Sequence, residues 1–317
     1  MNKGVIIMPY YGTLPPYLGF YLKSLEGKKI DVLWVTDLEL GQHPDNLKVV
    51  TMPFNELRIL MERKLEAPVV VTKPLRLSDF KPMYGKIFED YIEQYEYWGW
   101  GDCDLVYGKK FNEFLDRVLV HSTYDIISMH KTFLSGPFCL CRNVIQLREL
   151  FKSTRNWKEM CAHDGTSRFL FDECGGEFHF QLMSGAMTLE ECSKICDSFS
   201  ALVWRTPNLK TYLEDEITEE SLSRGEVVEM NDGKLTIEER EISVFHYILA
   251  KVPRYFRYVN VPYEKVGRYR ITKTGFYVSE FAWRTHWMRS PWRVLVAALG
   301  SLRRYGVRHV LKRLRQK

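Results

Sequence analysis

The sequence predicts an α/β fold in which a mostly parallel sheet is flanked by helices. Short apolar runs of the kind found in buried strands alternate with segments of helical periodicity along the first hundred residues. Such alternation is typical of β–α–β units, whose crossover helices cover the faces of a parallel sheet. The chain has 317 residues, of which 45% are hydrophobic and 27% charged, so it can bury a core as one large domain or two small ones.

Six segments of the N-terminal part carry this alternation. Strands are expected at Gly4 to Met8, Ile30 to Thr36 and Leu47 to Met52, and helices at Pro15 to Leu25, Phe54 to Leu65 and Phe80 to Tyr95. Proline is tolerated in a first helical turn, which suits the start at Pro15-Pro16. Ligands of such sheets bind outside the carboxyl ends of the strands. Three polar segments follow strands in this way: Pro9-Tyr10-Tyr11-Gly12, Thr36-Asp37 and Asp102-Cys103-Asp104.

The pattern becomes mixed after Gly108. Strands are expected at Tyr124 to His130, Pro137 to Arg142 and Ile242 to Ala250, helices at Asn143 to Lys152 and Thr188 to Phe199, and a hairpin at Glu226 to Ile237. Thr188 followed by Glu191 forms the sequence signature of a capping box. The hairpin is expected to turn at Asn231-Asp232-Gly233.

Two aspartates follow a buried aromatic strand in the stretch YWGWGDCDLVYG, which runs from Tyr97 to Gly108. In an extended segment Asp102 and Asp104 face the same side, while Cys103 faces back into the fold. Two close carboxylates raise each other's pKa unless a cation lies between them, and Mg²⁺ or Mn²⁺ prefers such oxygen ligands. The alternative is a pair of solvated acids in a turn. The preceding strand and the flanking glycines favour the metal.

Four segments carry a resemblance to a known class of enzymes. The D-x-D motif resembles that of GT-A-fold glycosyltransferases, and the chain is similar to an uncharacterised GT-A-like family of bacterial capsule and O-antigen gene clusters. The segments are Tyr10 to Pro15, Leu77 to Gly85, Trp98 to Gly108 and Phe171 to Gly176. The resemblance implies a GT-A-like, Rossmann-like fold and transfer of a sugar from a nucleotide-sugar donor, most often a UDP-sugar. Beyond Ser200 it extends only to the strand that carries His246.

The same resemblance implies a metal site for Mn²⁺ or Mg²⁺. Asp104 would be the direct ligand, and Asp102 would contact the metal through water or bind the donor ribose. His246 would complete the metal's coordination. A histidine within an apolar strand is equally expected as a satisfied core residue.

Donor-binding residues are implied in the N-terminal half. The turn Pro9-Tyr10-Tyr11-Gly12 and Asp37 would hold the nucleotide base, by aromatic stacking and by accepting an N–H. Asp79 and Lys81 would reach the ribose and the phosphates. The alternative for Lys81 is a surface lysine at a helix start.

The acceptor side is implied to lie after residue 108. Ser135 to Asn143 would lie near the donor sugar, and Asp172 or Glu173 would be the general base that deprotonates a hydroxyl of a glycan or lipid-linked oligosaccharide. The sequence does not rank these two acids. The alternative is that these two acids are loop residues before the Gly175-Gly176 turn and have no catalytic role.

The C-terminal segment is strongly basic. Ten of the 45 Lys and Arg residues lie between Phe281 and Lys317, which contain no acid, so residues 1–280 carry 35 basic and 40 acidic side chains. Ser290-Pro291 is a helix-start pattern, and apolar residues recur after it at helical spacing. We therefore expect a GT-A-like domain over 1–282, with a nucleotide-binding half (1–108) and an acceptor half (109–282). Residues 283–317 would form a basic amphipathic tail.

This tail predicts attachment to an anionic membrane surface, with tryptophans at the interface. Nucleic acid is not expected as a partner because no recognised reader fold accompanies the charges. The alternative is a terminal helix packed on its own domain.

Targeting and cysteine patterns suggest a cytoplasmic protein that lies peripherally on the inner face of the membrane. The run Val5 to Met8 is too short for a secretory signal, and no stretch approaches the roughly 20 apolar residues of a spanning helix. The seven cysteines lack zinc-ligand spacing and read as reduced thiols.

One rival function is disfavoured and one remains open. A haloacid-dehalogenase-type phosphatase also uses D-x-D and Mg²⁺, but its nucleophilic aspartate lies near the N-terminus and a later acidic pair completes its metal site. Here the D-x-D falls at residue 102 and the chain contains no Asp-Asp pair. A non-catalytic, membrane-associated protein that binds carbohydrate or nucleotide with the same fold is the rival from another class.

Overall fold

A computed structural model describes residues 2–120, 123–163, 169–218, 222–223, 225–251 and 256–285, together with Leu295 and Leu299. Within these ranges the strands are β1 (Gly4–Pro9), β2 (Asp31–Thr36), β3 (Leu47–Thr51), β4 (Tyr97–Gly101), β5 (Leu105–Tyr107), β6 (Ile126–Ser128), β7 (Phe138–Arg142), β8 (Thr211–Leu213), β9 (Ile217–Thr218), β10 (Val228–Asn231), β11 (Lys234–Ile237), β12 (Arg240–Glu241), β13 (Val244–His246), β14 (Tyr269–Thr272) and β15 (Gly275–Tyr277). The α-helices are α1 (Leu18–Leu25), α2 (Phe54–Leu65), α3 (Tyr84–Ile87), α4 (Lys110–Leu115), α5 (Ile145–Arg148), α6 (Trp157–Ala162), α7 (Gly175–Met183), α8 (Leu189–Ile195), α9 (Phe199–Arg205) and α10 (Glu280–Arg284).

The largest described sheet has seven strands in the order β3-β2-β1-β4-β7-β6-β8. β1 lies between β2 and β4 and pairs with both in parallel, and the pairs β2–β3 and β6–β8 are also parallel. β7 runs antiparallel to its neighbours β4 and β6. The expected α/β class is confirmed, as a mixed sheet that is mostly parallel and contains one reversed strand.

Helices cover both faces of this sheet because successive side chains of a strand point in opposite directions. Val5 and Ile7 of β1 lie in one apolar cluster with Leu57 of α2. Ile6 and Met8 lie in a second cluster, which includes apolar side chains of α1 and α4. Burial on both faces explains why β1 is an uninterrupted apolar run.

Strand β4 lies unusually close to its neighbour β7. A Cβ atom at Gly99 would lie 1.9 Å from the carbonyl oxygen of Cys139, so this position tolerates only glycine. Trp98 and Trp100 flank it and are fully buried. The strand that ends at Asp102 is therefore held on both sides, by β1 and by β7.

Two smaller sheets form the rest of the described β-structure. One has the order β5-β13-β9 and the other the order β12-β11-β10-β14-β15. The predicted hairpin is confirmed as β10 and β11, with Asn231 paired to Lys234. Asp232 and Gly233 form its two-residue turn with φ of 48° and 75°, the conformation that a type I′ turn requires.

The helix expected from Phe80 to Tyr95 is wrong. The structure has a 3₁₀ helix over Pro74–Met83, then the short α3, and then a 3₁₀ turn over Glu89–Tyr91. Pro82 lies inside the first of these and cannot donate a backbone hydrogen bond. A Cβ atom at Gly85 would lie 2.2 Å from the Trp98 ring, so close packing also restricts this segment.

Other expected elements are also shorter than the sequence suggested. The capping box of Thr188 and Glu191 is confirmed, but α8 ends at Ile195, and Ser198 begins the separate helix α9 by accepting a hydrogen bond from Ala201 N. The expected strand Ile242 to Ala250 is reduced to β13. The expected helix Asn143 to Lys152 is divided into α5 and a 3₁₀ turn.

Most of the basic tail, including the helix start at Ser290-Pro291, lies outside the described residues. Leu295 and Leu299 are about half exposed. In the part of the chain that the structure describes, no helix combines the length and the apolar character needed to cross a bilayer. All seven cysteines are free thiols.

Candidate functional site

The candidate site lies where the strand order of the largest sheet reverses. From β1 the chain moves outward through β2 and β3, and it then returns to place β4 on the other side of β1. In open α/β sheets the crevice outside the carboxyl ends of the strands at such a reversal is the usual ligand site. Tyr10 follows β1 and Asp102 follows β4, so both lie at this edge.

Asp102 and Asp104 are brought together with His246 by a turn and a strand pairing. β4 ends at Gly101 and β5 begins at Leu105, so the motif forms the turn between two strands rather than an extended strand. β5 pairs antiparallel with β13, and the register sets His246 opposite Leu105. This pairing carries the histidine across 142 residues of sequence to the second aspartate.

The three side chains form a group that can hold a metal ion. One potential ligand atom from each of Asp102, Asp104 and His246 lies within 4.8 Å of the others. Asp104 Oδ1 lies 3.3 Å from His246 Nε2, and both of these residues are buried. Two carboxylates and an imidazole suit a divalent cation, and the nitrogen ligand favours Mn²⁺ over Mg²⁺, which holds closely to oxygen.

Two lysines already neutralise the two carboxylates. Lys251 forms an ion pair with Asp104 Oδ2. Burial would raise the pKa of Asp104, but the hydrogen bonds and charges of His246 and Lys251 outweigh it and hold that pKa well below its usual range. Lys81 lies 2.9 Å from Asp102 Oδ1 and also donates to the carbonyl oxygen of Gly136 at 2.7 Å.

Lys81 links this group to the predicted acceptor-side acids. Its ammonium lies 3.7 Å from Asp172 Oδ2. Burial would lower the pKa of Lys81, but the charges of Asp102 and Asp172 raise it above its ordinary value. The side chain is buried, so the alternative of a surface lysine is wrong.

Asp172 and Glu173 lie in the turn that precedes α7, beside Gly136. A Cβ atom at Gly136 would lie 2.5 Å from Glu173 Oε1 and 3.3 Å from Asp172 Oδ2, so the loop fits against both acids. The Asp172 side chain is 2% exposed, while that of Glu173 is 14% exposed and lies 3.0 Å from His179 Nδ1. The structure therefore places both acids in one group with Lys81 and Asp102.

Two predicted donor-binding residues are buried and have structural roles. Tyr11 is buried, and its hydroxyl donates to the carbonyl oxygen of Met52 at 2.9 Å. Asp79 has no exposed surface; its Oδ1 accepts from the backbone N–H groups of Phe169 and Leu170 at 2.9 and 2.8 Å, and its Oδ2 pairs with Arg76. The expectation that Asp79 contacts a ribose is wrong for this buried carboxylate.

The other predicted donor residues remain accessible at the sheet edge. Tyr10 is half-buried, stacks on Trp34 with 5.3 Å between ring centroids, and has a pKa raised to about 12 by burial and by the charges of Cys103 and Asp104. Pro9 is partly buried beside it, and Gly12 and Asp37 are exposed. Gly12 has a φ of 101° with open space around its Cα.

Three further residues lie around the site and were not expected from the sequence: Tyr17, His179 and Lys251. The ammonium of Lys251 lies 5.6 Å from the centroid of the Tyr17 ring, and His179 lies against Glu173. A lysine five residues after a strand histidine and a tyrosine after Pro15-Pro16 are common local patterns. Neither gave a signal without the tertiary contacts.

A family model matches residues 6–280 of the chain, and its description is a family of unknown function, DUF6625. The chain belongs to the DUF6625 family. The matched range of this DUF6625 chain contains every residue of the group around Asp102 and Asp104, and it ends where the basic tail begins. No curated protein matches the chain.

Proposed function

We propose that this DUF6625 chain is a metal-dependent glycosyltransferase of GT-A-like fold. It would move a sugar from a nucleotide-sugar donor, most simply a UDP-sugar, to a glycan or lipid-linked acceptor in bacterial surface polysaccharide biosynthesis. The observation that carries the proposal is the convergence of Asp102, Asp104 and His246 at the strand-order reversal of the sheet. The acid pair Asp172 and Glu173 lies across Lys81 from that group.

The donor would bind along the carboxyl edge of β1 and β4. Tyr10 offers an aromatic ring beside Asp104, and Asp37 offers an exposed carboxylate at the end of β2 for an N–H of the base. The open space around Gly12 allows a ligand to approach the backbone closely. These features support a nucleotide site rather than a site for a sugar alone.

Asp102, Asp104 and His246 would hold Mn²⁺ or Mg²⁺, which when bound neutralises negative charge on a diphosphate leaving group. Lys81 has a different task. Its ammonium is fixed by Asp102, Asp172 and the Gly136 carbonyl oxygen. Lys81 would therefore fix the position of the donor side of the site relative to the acceptor side.

On the acceptor side, Glu173 is the better candidate for the general base. Its carboxylate is more exposed than that of Asp172, which is buried against Lys81. A base must come within hydrogen-bond reach of the hydroxyl that it deprotonates. Glu173 would accept the acceptor proton, and Asp172 would position Lys81.

The proposal is tested by donor hydrolysis. The full chain is incubated with a panel of nucleotide sugars, with and without Mn²⁺, and release of nucleoside diphosphate is measured. Metal-dependent release from at least one donor is expected, and Asp104→Asn should lose it. Binding of a nucleotide or glycan without turnover of any donor would instead support the non-catalytic binding protein.

Variants of the two acids separate their roles. Glu173→Gln should bind donor and metal normally but lose transfer by two orders of magnitude or more, because general-base catalysis typically contributes 10²–10⁴-fold. Asp172→Asn should weaken donor binding as well, because Lys81 loses one partner. Normal transfer by both variants would remove this segment from the mechanism.

A further inference from the structure

Asp104 combines two roles that compete with each other. Its carboxylate belongs to the group that can hold a metal ion, yet its Oδ2 already forms an ion pair with the ammonium of Lys251. The other oxygen faces His246. A divalent cation that binds this group would therefore compete with the Lys251 ammonium for the Asp104 carboxylate.

We propose that Lys251 is an exchangeable counter-ion: it neutralises Asp104 in the metal-free protein, leaves that carboxylate when a divalent cation binds, and then donates to the diphosphate of the nucleotide. This inference rests on the proposed function and extends it to the order of events in the site.

The two lysines of the site differ in their freedom to move. The side chain of Lys81 is only 6% exposed and has the Gly136 carbonyl oxygen as a second, neutral acceptor. The side chain of Lys251 is 24% exposed and pairs with Asp104 alone among its described acceptors. A lysine is a point charge on a flexible four-carbon stem, so Lys251 can rotate away without breaking a fixed network.

Two aromatic rings keep Lys251 close once it has left Asp104. Its ammonium lies 5.6 Å from the ring centroid of Tyr17 and 5.7 Å from that of Tyr247. Ring faces at such distances attract a cation. Burial raises the pKa of Tyr17, and the charges of Cys103, Asp104 and Tyr10 raise it further. The two rings therefore favour a position of the Lys251 ammonium close to the metal group.

Charge balance explains why the nucleotide should favour the exchange. Lys251 compensates Asp104, so a metal ion alone adds two positive charges beside an ammonium that has lost its carboxylate. A diphosphate supplies negative charge and gives Lys251 a new, charge-assisted acceptor. Metal and nucleotide should thus strengthen each other's binding, and by linkage the effect is reciprocal.

The test is the effect of Lys251→Met on two separate binding constants of the full chain. Mn²⁺ binding is measured without nucleotide, from the electron paramagnetic resonance signal of free Mn²⁺. UDP binding is measured by calorimetry at saturating Mn²⁺. We expect Lys251→Met to bind Mn²⁺ about tenfold more tightly, because the competing charge is gone, and to bind UDP about tenfold more weakly.

Controls distinguish this exchange from a general effect of removing a lysine. Lys64→Met removes a lysine that pairs with Glu89 and Asp90 of another cluster, and it should change neither constant. Lys251→Gln is measured alongside as a polar variant, and both Lys251 variants are checked for a cooperative thermal transition.

The results separate the Lys251 exchange from the glycosyltransferase proposal. Mn²⁺ binding that is unchanged or weaker in both Lys251 variants overturns the exchange, and unchanged UDP binding overturns the transfer of Lys251 to the diphosphate. If the two shifts are found but no nucleotide sugar is hydrolysed, the exchange stands and the transferase proposal fails. If neither wild type nor variant binds Mn²⁺, the metal site and the exchange fail together.

Discussion

At the scale of single residues, the pKa values of the ionisable groups in the site depend on their hydrogen-bond and ion-pair partners. Asp104 is buried, but His246 and Lys251 keep its pKa well below the ordinary value despite the opposing effect of burial. The repulsion between Asp102 and Asp104 is therefore offset, because each carboxylate forms an ion pair with a lysine. Removing Asp104 takes away the carboxylate with which Lys251 pairs.

Asp104→Asn should abolish Mn²⁺ binding and lower the free energy of unfolding at pH 7 by about 1–3 kcal/mol. The cost should stay below that of a fully buried pair because Lys251 can turn towards solvent. Urea unfolding of both proteins measures this difference.

The difference in free energy of unfolding between wild type and Asp104→Asn should also depend on pH. The folded-state pKa of Asp104 is lowered, so its stabilisation is present above the unfolded-state pKa of about 3.9 and is lost as pH falls towards the folded value. The difference between wild type and Asp104→Asn should therefore narrow below about pH 4. A difference that stays constant down to pH 2 would contradict this account.

Lys28 offers a second residue-scale prediction outside the site. It is buried, and desolvation, followed by the charge of Lys109, lowers its pKa to about 8. Lys28→Met should raise the free energy of unfolding at pH 7 by about 3 kcal/mol, since the pKa of Lys28 is lowered from 10.5 to about 8 and each pKa unit corresponds to 1.36 kcal/mol. Between about pH 8 and 10.4 the unfolded chain binds more protons than the folded one, so wild type gains stability and the advantage of Met disappears.

Urea unfolding at pH 7 and pH 10 measures this change. Lys29→Met is the matched control, because Lys29 is half-exposed and paired with Asp116. An equal effect of both substitutions would show that burial of Lys28 is not the cause.

At the scale of elements, the position of the site depends on how closely β4 approaches its neighbours. A side chain at Gly99 would overlap the backbone of β7. Because β4 ends immediately before Asp102, a displacement of this strand moves the first carboxylate. The β5–β13 pairing independently positions Asp104 and His246.

Gly99→Ala should destabilise the protein by about 3 kcal/mol and weaken Mn²⁺ binding together with it. The added Cβ would lie 1.9 Å from Cys139 O and 2.8 Å from Leu140 Cδ2, so strand β7 must shift. Gly267→Ala is the control, with no atom within 4 Å of the added methyl group and an expected change within about 0.5 kcal/mol. Similar melting temperatures of the two variants would contradict the close approach.

At the scale of the whole molecule, the chain divides by charge near Glu280. The family match ends there, and the ten basic residues that follow have no acid among them. Juxtamembrane Lys and Arg contribute about 1 kcal/mol each near an anionic surface. We propose that this tail attaches the protein to the inner face of the membrane.

Removing Pro291 to Lys317 should leave donor hydrolysis unchanged but reduce transfer to a lipid-linked acceptor. Co-sedimentation with anionic vesicles should be lost in the truncated protein and should weaken with salt for the full chain. Neutral vesicles are the control. Equal binding of both proteins to anionic vesicles would show that the tail is a packed terminal helix.

Local chemistry was enough to predict the elements whose signals lie within a few residues. Helix α2 was expected and found at Phe54–Leu65, because its apolar period is complete in itself. The β10–β11 turn followed from Asp232-Gly233, which accept positive φ. The alternation of strands and helices also placed Asp102 and Asp104 at a sheet end. The helix from Phe80 to Tyr95 was missed because packing against Trp98 outweighs its periodicity.

The partners of the charged residues could not be read from the chain. Lys251 and Asp104 are 147 residues apart, and they meet because β13 pairs with β5 in one register. Asp79 and Tyr11 read as ligand contacts from their motifs, yet the folded chain buries both and satisfies them internally. Motif chemistry shows which groups a residue can bind, whereas long-range packing determines which of those groups is within 3 Å and whether water or a ligand can reach it.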